Sequence, residues 1–283
     1  MVTYVSYVLR LLPLHIRIFS YYLFKFGSFP DLNSPKKYSE KIQYRKLNLS
    51  EIYTSLSDKV KVKDFISENI GESYLIPTIG VFNNVDSIDF DKLPNEFVIK
   101  TNFGSGSEHI EIVKNKDLID INKLKVKFAN AMLVPCYKGS LLGEEQYDKI
   151  ERKILIEEYM SDSISGGISD YKFHLFNNGE DGFLQVDFDR FVCHKRNLYN
   201  FNFERLPYDL MYSGGDYQLP NKDSLEEMLD IARKLAIDFD YVRVDLYLIN
   251  NKIYFGELTF TPGNGFEKFS DPYADEYYGK LWK

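Results

Sequence analysis

The C-terminal stretch YVRVDLYLINNKIYFGELTF, residues 241–260, restricts the possible folds more than any other part of the sequence. Two runs rich in β-branched and aromatic residues flank the pair Asn250–Asn251, and this pattern predicts a β-hairpin with a tight turn. Side chains two positions apart in a strand point to the same side. Arg243, Asp245 and Tyr247 are therefore expected to share one face of the hairpin.

Pairing around this turn places Asp245 opposite Gly256 or Glu257. Glu257 and Thr259 share a face by the same alternation. Two carboxylates that face each other across a strand pair repel unless a cation lies between them, and Mg²⁺ binds a few carboxylates together with phosphate oxygens. Arg243 beside them would supply a fork of donors for a phosphate. We expect a magnesium and phosphate site here; the alternative is an exposed hairpin with its charges in solvent.

Other segments indicate an α+β fold. YKFHLF and GFLQVDFDRFV, separated by NNGED, form a second hairpin signal. SLEEMLDIARKLAID keeps apolar residues at the i, i+3, i+4, i+7 spacing of a helix. Residues 55–71 are predicted as one helix that ends at Gly71, and residues 74–81 and 96–101 as strands. Antiparallel hairpins flanked by helices are typical of α+β proteins.

Composition excludes several classes of protein. The chain has 283 residues with 35 Lys and Arg against 42 Asp and Glu, a net charge of −7. This acidic balance argues against a nucleic-acid binder, which normally needs a basic footprint. The 2 cysteines and 4 histidines lack the spacing of a disulfide scaffold or a zinc site, and they favour a reducing, cytoplasmic location.

A glycine-rich loop follows the predicted strand EFVIKT. Lys100 lies near the end of that strand, and the loop at residues 104–107 follows it. Such a loop can close its backbone N–H groups around phosphates, and a lysine adds a point charge. By itself the pattern is more typical of an ordinary hairpin turn, since many such turns are rich in Gly and Ser. Further on, ILIEEYM is a strand whose polar end could pair with the edge of an adenine.

The N-terminal segment is apolar and basic, with no acidic residue before Asp31. Breaks at Arg10, Pro13 and Arg17 argue against a membrane-spanning helix, and no small-residue cleavage site of a signal peptide follows. Two interpretations stay open. The segment is either an amphipathic helix on an anionic membrane surface or a helix that packs on the domain.

Together these segments resemble the ATP-grasp superfamily, and within it the TupA-like branch, which is associated with teichuronopeptide and other cell-envelope polysaccharide synthesis. The resemblance covers nearly everything from about Phe26 and rests on SDKVKVKDFI, EFVIKTNFGSGS, ILIEEYM, SDYKFHLFNNG, LQVDFDRFVCHKRNLYN and VRVDLYLINNKIYFGELTFTPGNGFEKF. It implies two α+β subdomains that clasp ATP, at residues 56–155 with the glycine loop and 156–283 with the metal hairpin. Residues 1–55 would form a helical extension.

The resemblance also implies the roles of individual residues. Lys59 or Lys63 would match an early lysine that reaches the nucleotide phosphates. The full predicted nucleotide-binding set is Lys59, Lys63, Lys100, Gly104, Ser105, Gly106, Ser107, Glu157, Glu158, Tyr159 and Met160. The predicted Mg²⁺ ligands are Asp245, Glu257 and Thr259. Most ATP-grasp enzymes carry Asn where this chain has Thr259, so the number of Mg²⁺ ions stays open.

The implied activity is that of an Mg-ATP-dependent carboxylate–amine ligase with an acyl-phosphate intermediate. The implied substrates are an envelope polysaccharide or its sugar precursor and an amine, for example a uronic acid and an amino acid. Arg243 would contact the transferring phosphate. Lys172 and Arg196 belong to a basic group with Arg190, His194 and Lys195, which would hold a carboxylate such as a uronic acid, hold nucleotide phosphates, or form a solvated face.

Two other functions stay open at this point. One is a glycosyl- or phosphoryl-transferase of capsule assembly, and the other is a nucleotide-binding module without catalysis. The expected location is the cytoplasm, at the inner face of the membrane if residues 1–26 associate peripherally with lipid.

Overall fold

The structure is a computed structural model that describes residues 9–104, 106–162, 168–189 and 193–283. The helices are α1 (Leu14–Phe26), α2 (Tyr38–Leu47), α3 (Glu51–Ser57), α4 (Val62–Asn69), α5 (Ile121–Leu133), α6 (Lys222–Ala236) and α7 (Pro272–Leu281). The strands are β1 (Thr78–Phe82), β2 (Phe97–Thr101), β3 (Ile110–Val113), β4 (Ile154–Glu158), β5 (Asp170–Phe176), β6 (Asp181–Phe188), β7 (Lys195–Tyr199), β8 (Tyr241–Ile249) and β9 (Lys252–Thr259).

The chain divides into two compact units. Unit 1 contains the described residues up to Leu49, the short segment Leu141–Glu144 and the described residues from 162 onward, whereas unit 2 contains Ser50–Ser140 and Glu145–Ser161. The N-terminal helices α1 and α2 therefore belong to the same unit as the C-terminal hairpin. The division predicted at residues 55/56 and 155/156 stays a prediction.

Unit 1 is built on an antiparallel sheet with the strand order β7-β6-β5-β8-β9. Both hairpins predicted from the sequence are present, β5–β6 and β8–β9. Asn250 and Asn251 form the turn of the second hairpin, and both have left-handed φ angles of 50° and 61°. Asn tolerates this region of φ/ψ space better than most residues, which explains the Asn-Asn pair at this turn.

Different elements pack on the two faces of this sheet. Helix α6 contacts β5 and β8, and its apolar stripe is buried, including Leu225, Met228 and Leu235. On the opposite face an aromatic cluster fills one end of the sheet, and residues of α2 and α7 complete it; its rings are Tyr38, Phe176, Phe183, Tyr241, Phe269, Tyr278 and Trp282. The rest of that face carries polar side chains.

Unit 2 contains a second antiparallel sheet with the order β1-β4-β2-β3. One face of this sheet forms a core with residues of α5 and of the turns that precede β2; its buried members include Phe97, Ile99, Phe128, Ile154 and Ile156. Asp120 caps α5, because its carboxylate accepts the backbone N–H groups of Asn122 and Lys123. Because side chains alternate along each strand, Lys100 and Glu157 lie on the opposite face of this sheet.

Two predictions about local structure need correction. The single helix predicted over residues 55–71 is interrupted between α3 and α4, because the Asp58 carboxylate accepts the backbone N–H groups of Val60 and Lys61 and so forms a local turn. The strand predicted from Tyr74 begins only at Thr78. Pro77, which has no N–H to give to a sheet, directly precedes it.

Within the described ranges, no helix has both the length and the apolar composition needed to cross a bilayer. Helix α1 is amphipathic: Ile18 and Tyr22 are buried, whereas Phe24 is 76% exposed. Leu11, just before the helix, is 83% exposed. The segment therefore packs on unit 1 through one side and presents large apolar side chains on the other.

Candidate active site

The polar face of the unit 1 sheet depends on a bulge in β9. From the turn as far as Leu246 and Phe255 the pairing is regular, but the next pair is Asp245 with Glu257, so Gly256 is an extra residue. Without this bulge Glu257 would point to the apolar face. With it, Asp245 and Glu257 face the same side. Of the two cross-strand partners that the sequence allowed for Asp245, the structure therefore selects Glu257 rather than Gly256.

Three oxygen atoms from these two strands converge on one point. The Arg243 Nη2 atom lies 2.7 Å from Asp245 Oδ2, 3.1 Å from Glu257 Oε1 and 3.0 Å from Thr259 Oγ1. Thr259 also donates to Glu257, at 3.3 Å. This arrangement fits the oxygen-only ligand preference of Mg²⁺ and already surrounds one cationic group.

Carboxylates are nevertheless few at this point. In the part of the chain that the structure describes, no three or more His, Cys, Asp and Glu side chains are grouped so that they could hold a metal ion by themselves. Mg²⁺ commonly keeps several waters and binds through one or two carboxylates plus substrate phosphates. The cluster of Asp245, Glu257 and Thr259 therefore fits a magnesium ion whose shell a phosphate completes.

Lys172 lies beside the same cluster. It is directly opposite Asp245 in the pairing of β5 and β8, and its Nζ donates to Asp245 Oδ2 at 2.6 Å and lies 3.6 Å from Asp170 Oδ1. Burial alone would lower the pKa of Lys172, but the carboxylates of Asp245 and Asp170 raise it above its ordinary value. The lysine is therefore charged at neutral pH.

Arg196 lies in a second cluster on the same face. Its Nε is 2.6 Å from Asp187 Oδ1, and its Nη1 is 3.0 Å from Glu267 Oε1. His194 also contacts Asp187, at 3.2 Å. Two carboxylates thus pair with Arg196, whereas Lys195 of the same predicted group donates to the Ser213 hydroxyl at 3.2 Å. Arg190, which the sequence assigned to the same group, lies outside the described residues.

The loop after β9 is held by residues that the sequence analysis missed. Lys46 of α2 donates to the backbone and side-chain oxygens of Asn264, at 2.8 and 2.5 Å. Glu144 accepts from Thr261 at 2.8 Å and from Asn264 at 3.1 Å. Burial lowers the pKa of Lys46 to about 7, although Glu144 opposes the shift. No local motif marks Lys46 or Glu144, since they meet the loop only through tertiary packing.

In unit 2 two predicted lysines converge on one predicted glutamate. Lys63 Nζ and Lys100 Nζ each lie 2.6 Å from a different oxygen of Glu157, which is only 4% exposed. Burial would raise the pKa of this carboxyl, but Lys100 and Lys63 bring it below its ordinary value. The cluster carries one surplus positive charge.

The glycine loop is adjacent to Lys59, whose Nζ donates to the Gly104 carbonyl at 3.0 Å. Gly104 packs against the buried ring of His109, and a Cβ at this position would lie 2.2 Å from that ring. Gly106 has a φ of +93°, which L side chains rarely adopt. The backbone of this loop therefore requires glycine at both positions. Ser105 lies outside the described residues, and Ser107 begins a 3-10 turn that ends at His109.

The residues at the polar end of ILIEEYM, which were predicted to bind the nucleotide, point in different directions in the structure. Glu157 faces the lysines, whereas Glu158 and Tyr159 line a pocket of about 390 Å³ with Ile79 and residues 94–96. Met160 follows the end of β4. This separation follows from the alternation of side chains along the strand.

The open face of the unit 2 sheet also carries aliphatic side chains that the sequence analysis did not select. Val81, Ile110 and Ile112 lie on the face of Lys100 and Glu157 and are 41%, 38% and 43% exposed. An apolar surface beside a cationic cluster suits a ligand with a flat apolar part and an anionic part. Strands β1 and β3 are mostly exposed or half-buried, and the alternation of Ile110 and Ile112 around Glu111 is the sequence signal that could have revealed this surface.

Comparison with known proteins assigns the chain to a class. A family model described as TupA-like ATPgrasp matches residues 40–283, and this match defines an ATP-grasp protein with an α+β fold. The chain belongs to the TupA-like ATP-grasp family. The resemblance and the fold class stated from the sequence are therefore confirmed. Proteins of the ATP-grasp family are ATP-dependent ligases that use ATP with Mg²⁺. No curated protein matches the sequence.

Several solved structures are similar to this chain. D-alanine–D-alanine ligase from Bacillus anthracis complexed with ATP has 17% identity and a TM-score of 0.41, over 75% of this chain and 56% of the ligase. The enzyme of the same name from Helicobacter pylori has 17% identity and a TM-score of 0.40, over 74% and 55%. The ATP-grasp ligase PsnB, complexed with a precursor variant, Mg and ADP, has 9% identity and a TM-score of 0.41, over 78% and 57%. The chain thus spans little more than half the length of these proteins.

Proposed function

We propose that this chain is an Mg-ATP-dependent carboxylate–amine ligase that works through an acyl phosphate. The observation on which the proposal depends is the convergence of Asp245, Glu257 and Thr259 oxygens on the cationic guanidinium of Arg243, with Lys172 beside them. Membership in the TupA-like ATP-grasp family supports the same activity.

We assign nucleotide binding to unit 2. Lys63 and Lys100 would donate to phosphate oxygens, because their shared partner Glu157 balances only one of their two charges. The exposed aliphatic side chains on the same face would contact the base. The loop at residues 104–107 would close on the phosphates through backbone N–H groups, and the Lys59 side chain beside it would add a positive charge.

We assign metal binding to unit 1. Asp245, Glu257 and Thr259 would hold Mg²⁺, with the Thr259 hydroxyl as a neutral oxygen ligand. When bound, the ion would neutralise negative charge on phosphate oxygens. Arg243 has five donors in a planar fork, so it would stabilise the phosphoryl group during its transfer.

The proposed reaction has two steps. An oxygen of the substrate carboxylate attacks the γ-phosphorus of ATP, the bond from that phosphorus to the β–γ bridging oxygen breaks, and ADP leaves. The amine nitrogen then attacks the acyl carbon, the bond from that carbon to the phosphate oxygen breaks, and the amine loses a proton to a base. These steps need positioning and charge neutralisation rather than a nucleophilic side chain.

For the substrate we propose a uronic acid of an envelope polysaccharide or its precursor, joined to an amino acid. Lys172 and Arg196 are our candidates for contact with the substrate carboxylate. Both are already paired, Lys172 with Asp245 and Arg196 with Asp187 and Glu267, so a substrate would share them with these partners. This class of substrate is what the resemblance to the TupA-like branch implies.

The test uses ¹⁸O-labelled uronates with a panel of amino acids, ATP and Mg²⁺. A ligase releases ADP in equal amount to an amide product and moves one ¹⁸O atom from the carboxylate into inorganic phosphate. Turnover of a sugar nucleotide without ADP would instead indicate a transferase. Nucleotide binding without turnover across the whole panel would indicate a binding module.

We also propose that the protein works in the cytoplasm at the inner membrane surface. The support is the exposed apolar surface of Leu11 and Phe24, together with the absence of acidic residues between Leu9 and Pro30. Sedimentation with phosphatidylglycerol vesicles should carry down the protein, and phosphatidylcholine vesicles should carry down less. Equal sedimentation with both, or no loss of binding in Leu11→Ser/Phe24→Ser, would contradict this location.

A further inference from the structure

The guanidinium of Arg243 occupies the place that a metal ion would take. Its Nη2 contacts one oxygen each of Asp245, Glu257 and Thr259, and its Nε donates to the second oxygen of Asp245 at 2.6 Å. Lys172 donates to Asp245 as well, at 2.6 Å. Both oxygens of Asp245 and one oxygen of Glu257 are thus engaged by cationic donors of the chain itself.

The charges of the cluster are nearly balanced without any ion. Arg243 and Lys172 carry two positive charges against the carboxylates of Asp245, Glu257 and, 3.6 Å from Lys172, Asp170. A divalent cation that approaches alone therefore meets a net charge of only −1. It would also have to displace a bidentate Arg–carboxylate pair that is almost completely buried. Such pairs are among the strongest charge-assisted contacts.

A nucleotide changes this balance. A triphosphate brings several negative charges, and its oxygens offer the guanidinium the same bidentate geometry as a carboxylate. Arg243 can then exchange carboxylate for phosphate, which frees Asp245, Glu257 and Thr259 for the metal.

We propose that Arg243 is a stand-in cation that keeps the magnesium site closed until a nucleotide is bound. Metal and nucleotide then enter together, and the protein without nucleotide does not take up free metal. This inference rests on the proposed function, because it assumes that these oxygens hold the metal of a bound nucleotide. It adds an order of binding that the ligase reaction by itself does not require.

The experiment measures binding of free Mn²⁺ by electron paramagnetic resonance to the full chain without nucleotide. We expect no detectable binding to the wild type and clear binding to Arg243→Met, with at least a tenfold gain in affinity. Lys172→Met is the matched control, because it removes one positive charge from Asp245 but leaves the guanidinium in place. Its gain should be much smaller.

Three results would overturn the inference: wild type and Arg243→Met bind Mn²⁺ equally, neither binds it, or Lys172→Met gains as much as Arg243→Met. Circular dichroism checks that each variant is folded. If Arg243→Met does not fold, Arg243→Lys replaces it in the experiment; this variant keeps a cation and should still exclude Mn²⁺. Calorimetry with Mn²⁺ and the non-hydrolysable analogue AMP-PCP separates the two claims. Failure of the wild type to bind that complex refutes the proposed function, whereas binding of it alongside any of the three results refutes only the closed site.

Discussion

Replacing Lys100 by Met tests the nucleotide site of unit 2 directly. Lys100 and Lys63 each hold one oxygen of Glu157 at 2.6 Å, and Glu157 is nearly inaccessible to solvent. The variant removes the surplus positive charge of this cluster and keeps an apolar side chain of similar length. Glu157 retains Lys63, so the carboxylate does not become an unpaired buried charge.

The size of the effect follows from these contacts. A hydrogen bond to a charged group contributes about 1.5–3 kcal/mol. Loss of one such bond to phosphate lowers ATP affinity by about 10- to 150-fold, since each 1.4 kcal/mol is a factor of ten. The free energy of unfolding should fall by less than the ~3–5 kcal/mol found when a buried ion pair loses a partner completely. The folded state should therefore survive the substitution.

The assay is calorimetric titration with AMP-PCP and Mg²⁺, with the melting temperature as a check on folding. Lys123→Met is the matched control, because Lys123 lies in the same unit and its side chain is 87% exposed. That variant should bind as the wild type does. A folded Lys100→Met protein with unchanged affinity would refute the assignment of Lys100 to the phosphates.

Three further predictions concern the metal site, the core and acid stability. Glu257→Gln should lower ADP release at least ~100-fold with the fold intact, because a charged metal ligand is lost. Phe176→Ala should lower the free energy of unfolding by ~3–5 kcal/mol in urea denaturation, because this fully buried ring packs among other rings of the aromatic cluster. Although burial opposes it, Arg196 holds the pKa of Asp187 well below its ordinary value. Asp187 therefore stabilises the fold above a pH of about 4, and this contribution is lost as the pH falls toward the lowered pKa. The stability advantage of the wild type over Asp187→Asn should shrink in acid.

Each of these predictions has its own contrary result. Near-normal ADP release from folded Glu257→Gln would count against the metal assignment. Phe24→Ala, at an exposed position, should change stability by no more than about 0.5 kcal/mol, and an equal loss in both Phe variants would contradict the core argument. A pH-independent difference between wild type and Asp187→Asn would show that the ion pair with Arg196 does not depress the pKa of Asp187.

Local patterning made part of the candidate site predictable. The alternation of side chains in β8 indicated that Arg243 and Asp245 share a face, and the Asn-Asn pair located the turn. The structure requires glycine at Gly104 and Gly106, and the sequence shows this locally as a Gly-Ser-rich loop after a strand. The helix predicted across Asp58 was wrong because a side chain competed with the backbone for its N–H groups.

The sequence by itself determined most of the strands, helices and turns, because periodicity and turn chemistry act between near neighbours in the chain. Only the tertiary structure decided that Glu257 faces Asp245, through the extra residue Gly256 in β9. It alone also brought Lys63 and Lys100 to one carboxylate, from a helix and a strand that are far apart in sequence. Strand register and contacts between distant elements are set by packing of the whole chain, and no local pattern encodes them.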